Sequence, residues 1–96
     1  MSQQVILVVY DIREDDLRFK VARYLKKLGF SRIQKSVFVS SYTPALLAET
    51  EAGLRRIFKE NTMYNLQIYV FSKASFEKRI VLSEGYTIGE EDEFLV

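Results

Sequence analysis

The acid that closes the first apolar run has the widest chemical scope of any residue in the chain. Residues 5–9, VILVV, are unbroken apolar; Tyr10 follows, and then Asp11. A short run rich in β-branched residues predicts a strand buried on both faces. Asp11 then stands at the carboxyl end of a central strand, an edge where α/β folds commonly place polar sites. Aspartate also starts turns through local hydrogen bonds, and that plainer role stays open at this point. The chain has no histidine and no cysteine. Their absence removes imidazole and thiolate nucleophiles, Cys-ligated metals and the usual neutral-pH general base. What remains is a carboxylate holding a hard cation through oxygen, namely Mg²⁺, Mn²⁺ or Ca²⁺. One Asp is a weak site alone. A two-fold axis past the strand end would bring two copies of Asp11 around one ion, which could activate water at a phosphodiester. Arg18, Lys20 and Arg32 are cations able to hold backbone phosphates, and Tyr10 and Phe38 are aromatics able to stack on bases. On position alone, each is more often a surface cation or a core aromatic.

These residues must be held by the elements around them. The first strand covers about residues 4–11, and IREDD (12–16) turns the chain into a helix that Asp15 or Asp16 would cap. Leu17, Val21, Tyr24, Leu25 and Leu28 form one helical stripe, with Arg18, Lys20, Arg23, Lys26 and Lys27 off it. Gly29 is the expected stop. Residues 30–42 are too long for one ordinary strand and predict a hairpin or bulged strand bending near Gln34–Ser36. Thr43-Pro44 starts a second helix running to about Glu60, with Leu46, Leu47, Leu54, Ile57 and Phe58 inward. Gly53 in its middle suggests close packing against the sheet. YNLQIYVFS (64–72) is a further strand, with Leu66, Ile68 and Val70 on one face. Residues 76–82 predict another strand. The order fits an α+β sandwich of the split βαβ, ferredoxin-like (βαββαβ) kind, with two helices on one face of an antiparallel sheet.

Ninety-six residues make one domain, with 1–83 as the core and 84–96 as a separate acidic segment. Net charge is +1, but residues 1–36 carry eight Lys/Arg against four Asp/Glu, while 84–96 carry five acids and no base. The asymmetry keeps a phosphate-bearing partner open. The segment ends in Phe94-Leu95-Val96, best explained as a short strand docked on a sheet edge, within the chain or across a dimer interface. No apolar run approaches the roughly 20 residues that span a bilayer, and nothing resembles a signal peptide, so a cytoplasmic protein is expected. Gly-rich phosphate loops and Ser/His/Asp sets are absent.

The stretch YDIREDDLRFKVARYLKKLGFSRIQKSVF (10–38) resembles the CRISPR-associated protein family called Cas-two. The signals are an apolar strand ending in Tyr-Asp-Ile, an acidic turn, a basic helix ending in Leu-Gly, and Arg-x-Gln-x-Ser-Val-Phe. The close match covers residues 5–39. The resemblance implies a ferredoxin-like homodimer with C-terminal strands exchanged or docked across the interface. It implies a role in spacer acquisition for antiviral defence, beside the CRISPR integrase subunit, with Mg²⁺-dependent endonuclease activity of the endoribonuclease type. Asp11 would be the metal ligand and catalytic residue, shared with its copy. Tyr10, Arg18, Lys20, Arg32 and Phe38 would be the nucleic-acid residues. One departure is Lys20, where such proteins often carry Arg; Lys keeps the charge but loses the bidentate fork. Family members are described as cutting single-stranded RNA, as cutting double-stranded DNA, or as a structural bridge. The rivals are therefore a non-enzymatic adaptor that binds protospacer DNA and integrase, a toxin-type ribonuclease on the same fold, and an RNA-binding module using sheet aromatics.

Overall fold

The computed structural model describes residues 3–61 and 63–86. Its elements are β1 (Gln4–Asp11), α1 (Asp15–Lys27), β2 (Ser31–Gln34), β3 (Val37–Ser41), α2 (Pro44–Phe58), β4 (Asn65–Ser72) and α3 (Lys73–Glu77). The four strands form one antiparallel sheet in the order β2-β3-β1-β4, so β1 is central and β4 is an edge. This is the ferredoxin-like α+β arrangement. No helix among the described residues is long and apolar enough to cross a membrane.

Strand alternation decides which residues meet the helices. Ile6, Val8 and Tyr10 point toward them and are buried, with Phe38 of β3 beside them. Leu17, Val21, Ala22 and Leu25 of α1 and Leu54 and Phe58 of α2 close that core. The opposite face is only partly covered. Leu7 and Val9 are half-buried there, in register with Val39 and Val37 of β3 and with Tyr69 and Gln67 of β4. Val5 is buried at its far end, near Phe71, whose ring meets Phe76 of α3 at 6.3 Å. Burial of β1 on both faces is thus complete on the helix side alone.

Local signals explain the element ends. Gly29 has φ +99°, and the amides of Gly29 and Phe30 return to the carbonyls of Lys26 and Leu25, a left-handed helix stop. Thr43 caps α2 by accepting from the Leu46 amide at 3.0 Å, with Pro44 in the first turn. The 30–42 stretch is a hairpin turning at Lys35–Ser36, with a register shift between Arg32 and Gln34.

Three expectations are corrected. Glu14, not Asp15 or Asp16, is the N-cap of α1, and it makes no side-chain capping bond. Gly53 lies against Tyr24 of α1 rather than the sheet. Residues 76–82 are not a strand: Ser72 accepts from the Ser75 amide and starts the short α3, and residues 79–83 have no regular structure. The expected strand in 84–96 lies, from residue 87 on, outside the described residues.

Candidate functional site

Asp11 is the last residue of β1 and is exposed. Its neighbour in register is Asn65 of β4. Tyr10 precedes it and points to the opposite face, so the two adjacent residues serve different surroundings. Among the described residues the Asp11 carboxylate makes no ion pair or hydrogen bond, so its oxygens are available to a ligand. The same residues contain no cluster of three or more His, Cys, Asp or Glu side chains able to hold a metal. At the end of β1 each chain therefore offers the Asp11 carboxylate, which fits the hard-cation mode of one or two carboxylates completed by waters and phosphate oxygens.

On the other side of the strand end lies a recess of about 390 Å³, lined by Tyr10, Arg18, Phe19, Arg32, Lys35 and Ser36. Two cations at its wall are held by backbone. Arg18 donates to the carbonyls of Ile12 at 3.1 Å and Arg13 at 2.9 Å, and it pairs with Asp15. That geometry braces the loop leaving Asp11. Arg32 donates from Nε to the Lys35 carbonyl at 3.1 Å, across the hairpin turn. Its guanidinium carbon stands 4.9 Å from the centroid of the Phe38 ring, a cation–π contact.

The two aromatics lie deeper than base stacking requires. Phe38 is fully buried and Tyr10 is 4% exposed. Their rings stack nearly parallel, 6.2 Å apart. The Tyr10 amide donates to the Ser36 carbonyl at 3.1 Å, tying the strand end to the hairpin turn. Phe38 thus supports Arg32 from the core side, and Tyr10 supports Phe38. Phe38, with 0% exposure, shows no ring face to a base, and Tyr10, at 4%, shows only an edge to the recess. Tyr10 is in phase with Ile6 and Val8, so strand alternation already pointed it inward.

The structure therefore gathers Tyr10, Arg18 and Arg32 around one recess, with Phe38 beneath it. It does not bring Lys20 there: Lys20 is exposed on α1 outside the lining. It adds Phe19, Lys35 and Ser36. Lys35 is the exposed tip residue of the hairpin, and a lysine in a turn between two strands was the signal available for it.

These features define a class: a small ferredoxin-like domain with a free carboxylate at the end of its central strand and a cation-lined recess behind it. A profile of the family described as CRISPR associated protein Cas2 matches residues 4–79, and the chain belongs to that family. It is 52% identical over 54 residues to a protein of Pyrobaculum aerophilum named CRISPR-associated endoribonuclease Cas2 2, covering 56% of this chain and 59% of that one. It is 47% identical over 51 residues to a Thermoproteus tenax protein named as a fusion of CRISPR-associated endonuclease Cas1 and endonuclease Cas2, covering 53% of this chain and 19% of the fusion. The match thus spans little more than half of the first relative and about a fifth of the second. The crystal structure of Streptococcus pyogenes Cas2 superposes with a TM-score of 0.68 at 28% identity, covering 82% of this chain and 99% of that one.

Proposed function

We propose that the chain acts in spacer acquisition as a homodimer that hydrolyses phosphodiesters, with Asp11 from each of two copies holding one divalent cation. The observation that carries this reading is the uncommitted Asp11 carboxylate at the end of the central strand. An oxygen-only donor set suits Mg²⁺, with Mn²⁺ as the substitute. When bound, the cation supplies a Lewis acid for the phosphate and lowers the cost of ionising water.

The chain's own residues do the rest. Asp11 holds the cation's place, and Arg18 fixes the loop that follows by bonding the Ile12 and Arg13 carbonyls. Arg32, backed by Phe38 and Tyr10, and Lys35 at the hairpin tip present positive charge to the nucleic-acid backbone. Lys20 extends the positive surface along α1 as a point charge.

The homodimer is supported by apolar surface that the described residues leave only partly covered. Leu7, Val9, Val37, Val39 and Tyr69 share the face of the sheet opposite α1 and α2. Ile80, Val81 and Leu82 are 83%, 68% and 92% exposed. A second copy on these surfaces would bury them and bring in a second Asp11, the ligand one chain lacks.

A second reading has a specific observation behind it. The Thermoproteus tenax relative is named as a fusion with Cas1, which supports an adaptor that joins integrase to protospacer DNA without cutting. One assay separates the two. Wild type and Asp11→Asn are incubated with labelled single-stranded RNA and double-stranded DNA, in Mg²⁺ and in EDTA. Asn is close in size to Asp and removes the charge. Cleavage by wild type alone, lost in EDTA, establishes the nuclease and names its substrate. Equal cleavage by both proteins removes Asp11 from the mechanism. No cleavage by either, with duplex binding intact, establishes the adaptor.

A further inference from the structure

Asp11 ends β1 directly opposite Asn65, the first residue of β4. Residues so paired in an antiparallel sheet have Cβ atoms about 4.5–5.5 Å apart. Strand alternation puts Asn65, Gln67 and Tyr69 on the sheet face that Asp11 shares, away from α1 and α2. Their side chains are bonded in a row. The Tyr69 hydroxyl donates to Gln67 Oε1, and Gln67 Nε2 donates to Asn65 Oδ1 at 3.3 Å. All three residues are exposed, so water could satisfy each of them separately. They bond one another instead, and the bonds run in one direction. The Tyr69 hydroxyl occupies the acceptor of Gln67 and leaves the Gln67 amide nitrogen for Asn65. That bond in turn occupies the Asn65 carbonyl. The group left beside Asp11 is Asn65 Nδ2, a donor with no partner among the described residues.

We infer that Asn65 is a phosphate-contacting residue of the Asp11 site. Its amide nitrogen donates to a non-bridging oxygen of the phosphodiester that the Asp11-bound cation holds. Gln67 and Tyr69 are positioning residues that leave the nitrogen free and keep the oxygen occupied. The inference rests on the reading of Asp11 as a cation ligand given above. Its chemistry follows from the direction of the row. A free amide oxygen beside Asp11 would be a further hard ligand and would draw the cation itself. A free N–H repels a cation and bonds the anion that the cation brings. Negative charge that builds on the phosphate oxygens during attack strengthens that bond. Tyr69, 47% exposed, lies on the face assigned above to a second copy. Cover at Tyr69 would take the row out of water, where such bonds hold their orientation more firmly.

The test uses the full chain and separates cation binding from phosphate binding. Mn²⁺ is titrated without nucleic acid, and its free form is read by electron paramagnetic resonance. The anisotropy of labelled single-stranded RNA and labelled duplex DNA is then read in Ca²⁺ and in EDTA, which isolates the affinity that the cation adds. Asn65→Ala should bind Mn²⁺ as wild type does. It should lose about tenfold or more of the cation-dependent affinity, the scale of a hydrogen bond to a charged group. Asn65→Asp should move the two readouts in opposite senses. The added carboxylate should tighten Mn²⁺, while the lost donor and the added charge should weaken nucleic acid. Tyr69→Phe frees the Gln67 amide to turn over, and should weaken nucleic acid by a smaller factor with Mn²⁺ unchanged. A variant that only disturbed the fold would lower both readouts together. Wild-type cation-dependent affinity in Asn65→Ala overturns the inference. So does a loss of Mn²⁺ binding by that variant, because Asn65 then serves the cation or the fold. Unchanged affinity in Tyr69→Phe removes the positioning role. Asp11→Asn tells these failures from failure of the site itself. If it keeps the cation-dependent affinity, or if wild type gains none from Ca²⁺, the reading of Asp11 falls and the inference falls with it.

Discussion

The guanidinium of Arg18 donates to the carbonyl of Ile12 at 3.1 Å, one residue past Asp11. A second bond, to Arg13, and a pairing with Asp15 complete the brace. A side chain that resembles a phosphate ligand in sequence is spent on backbone. Its effect on Asp11 is indirect, through the loop that fixes the end of β1.

This placement predicts a split between catalysis and binding. Arg18→Lys should not rescue what Arg18→Ala loses, because an ammonium cannot span two carbonyls as a planar fork does. Metal-dependent turnover should fall by about tenfold or more in both, since small displacements of a reacting group are costly. The dependence of nucleic-acid affinity on salt should keep its slope. A slope reduced by about one unit would instead make Arg18 a phosphate contact.

Lys35 predicts the opposite pattern. It is exposed at the hairpin turn and borders the recess, so Lys35→Ala leaves the fold intact. Binding should weaken evenly across sequences, and the salt slope should fall by about one. Titration of a labelled duplex and a labelled single strand at several salt concentrations checks both parts.

Phe38→Ala is expected to fail as a test of base stacking. The ring is fully buried in the core, and removing a buried Phe costs about 3–5 kcal/mol. In a 96-residue domain that is a large share of the total, typically about 5–15 kcal/mol. Loss of binding by this variant should therefore coincide with a collapsed unfolding midpoint in a denaturant titration. A variant that kept its midpoint and lost binding would restore the stacking role.

The sequence expressed the fold more fully than the site, for a physical reason. Elements follow from period and punctuation, which are local: the Leu17–Leu28 stripe, Gly29 with its positive φ, and the Thr43-Pro44 start all read correctly. The strand expected at 76–82 rested on apolar residues, but Ile80, Val81 and Leu82 have no strand beside them among the described residues. Propensity describes a fit to a sheet and cannot supply the neighbouring strand. Site residues depend on direction as well as identity. The alternation that turns Tyr10 inward was visible in the sequence, whereas the fold of Arg18 back onto the loop was not. It depends on how α1 leaves β1.

Gly53 illustrates a contact that spacing alone does not reveal. A Cβ there would overlap the far end of the Tyr24 ring, whose hydroxyl donates to the Glu49 carbonyl at 2.9 Å. Gly53→Ala gains up to about 1 kcal/mol of helix propensity. It must displace the ring and lose that bond, and overpacking typically costs about 1–3 kcal/mol. Net destabilisation of about 1–2 kcal/mol is expected. Tyr24→Ala in the same chain should make Gly53→Ala harmless, a coupling that a double-mutant cycle measures directly.

The last prediction concerns the face of the sheet that the described residues only partly cover. Val39 pairs with Leu7 in register at its centre, and both are half-buried in the single chain. If a second copy covers this face, Val39→Glu forces an unpaired charge into an apolar interface while leaving each folded chain a partly wet site for it. Dimerisation should weaken by about 100-fold or more, each tenfold being 1.4 kcal/mol. Sedimentation would then find wild type as a dimer and the variant as a monomer with native circular dichroism. Metal-dependent cleavage should disappear with the dimer although Asp11 is untouched, because the second carboxylate leaves with the second copy. A monomeric variant that still cleaves would show that one Asp11 suffices.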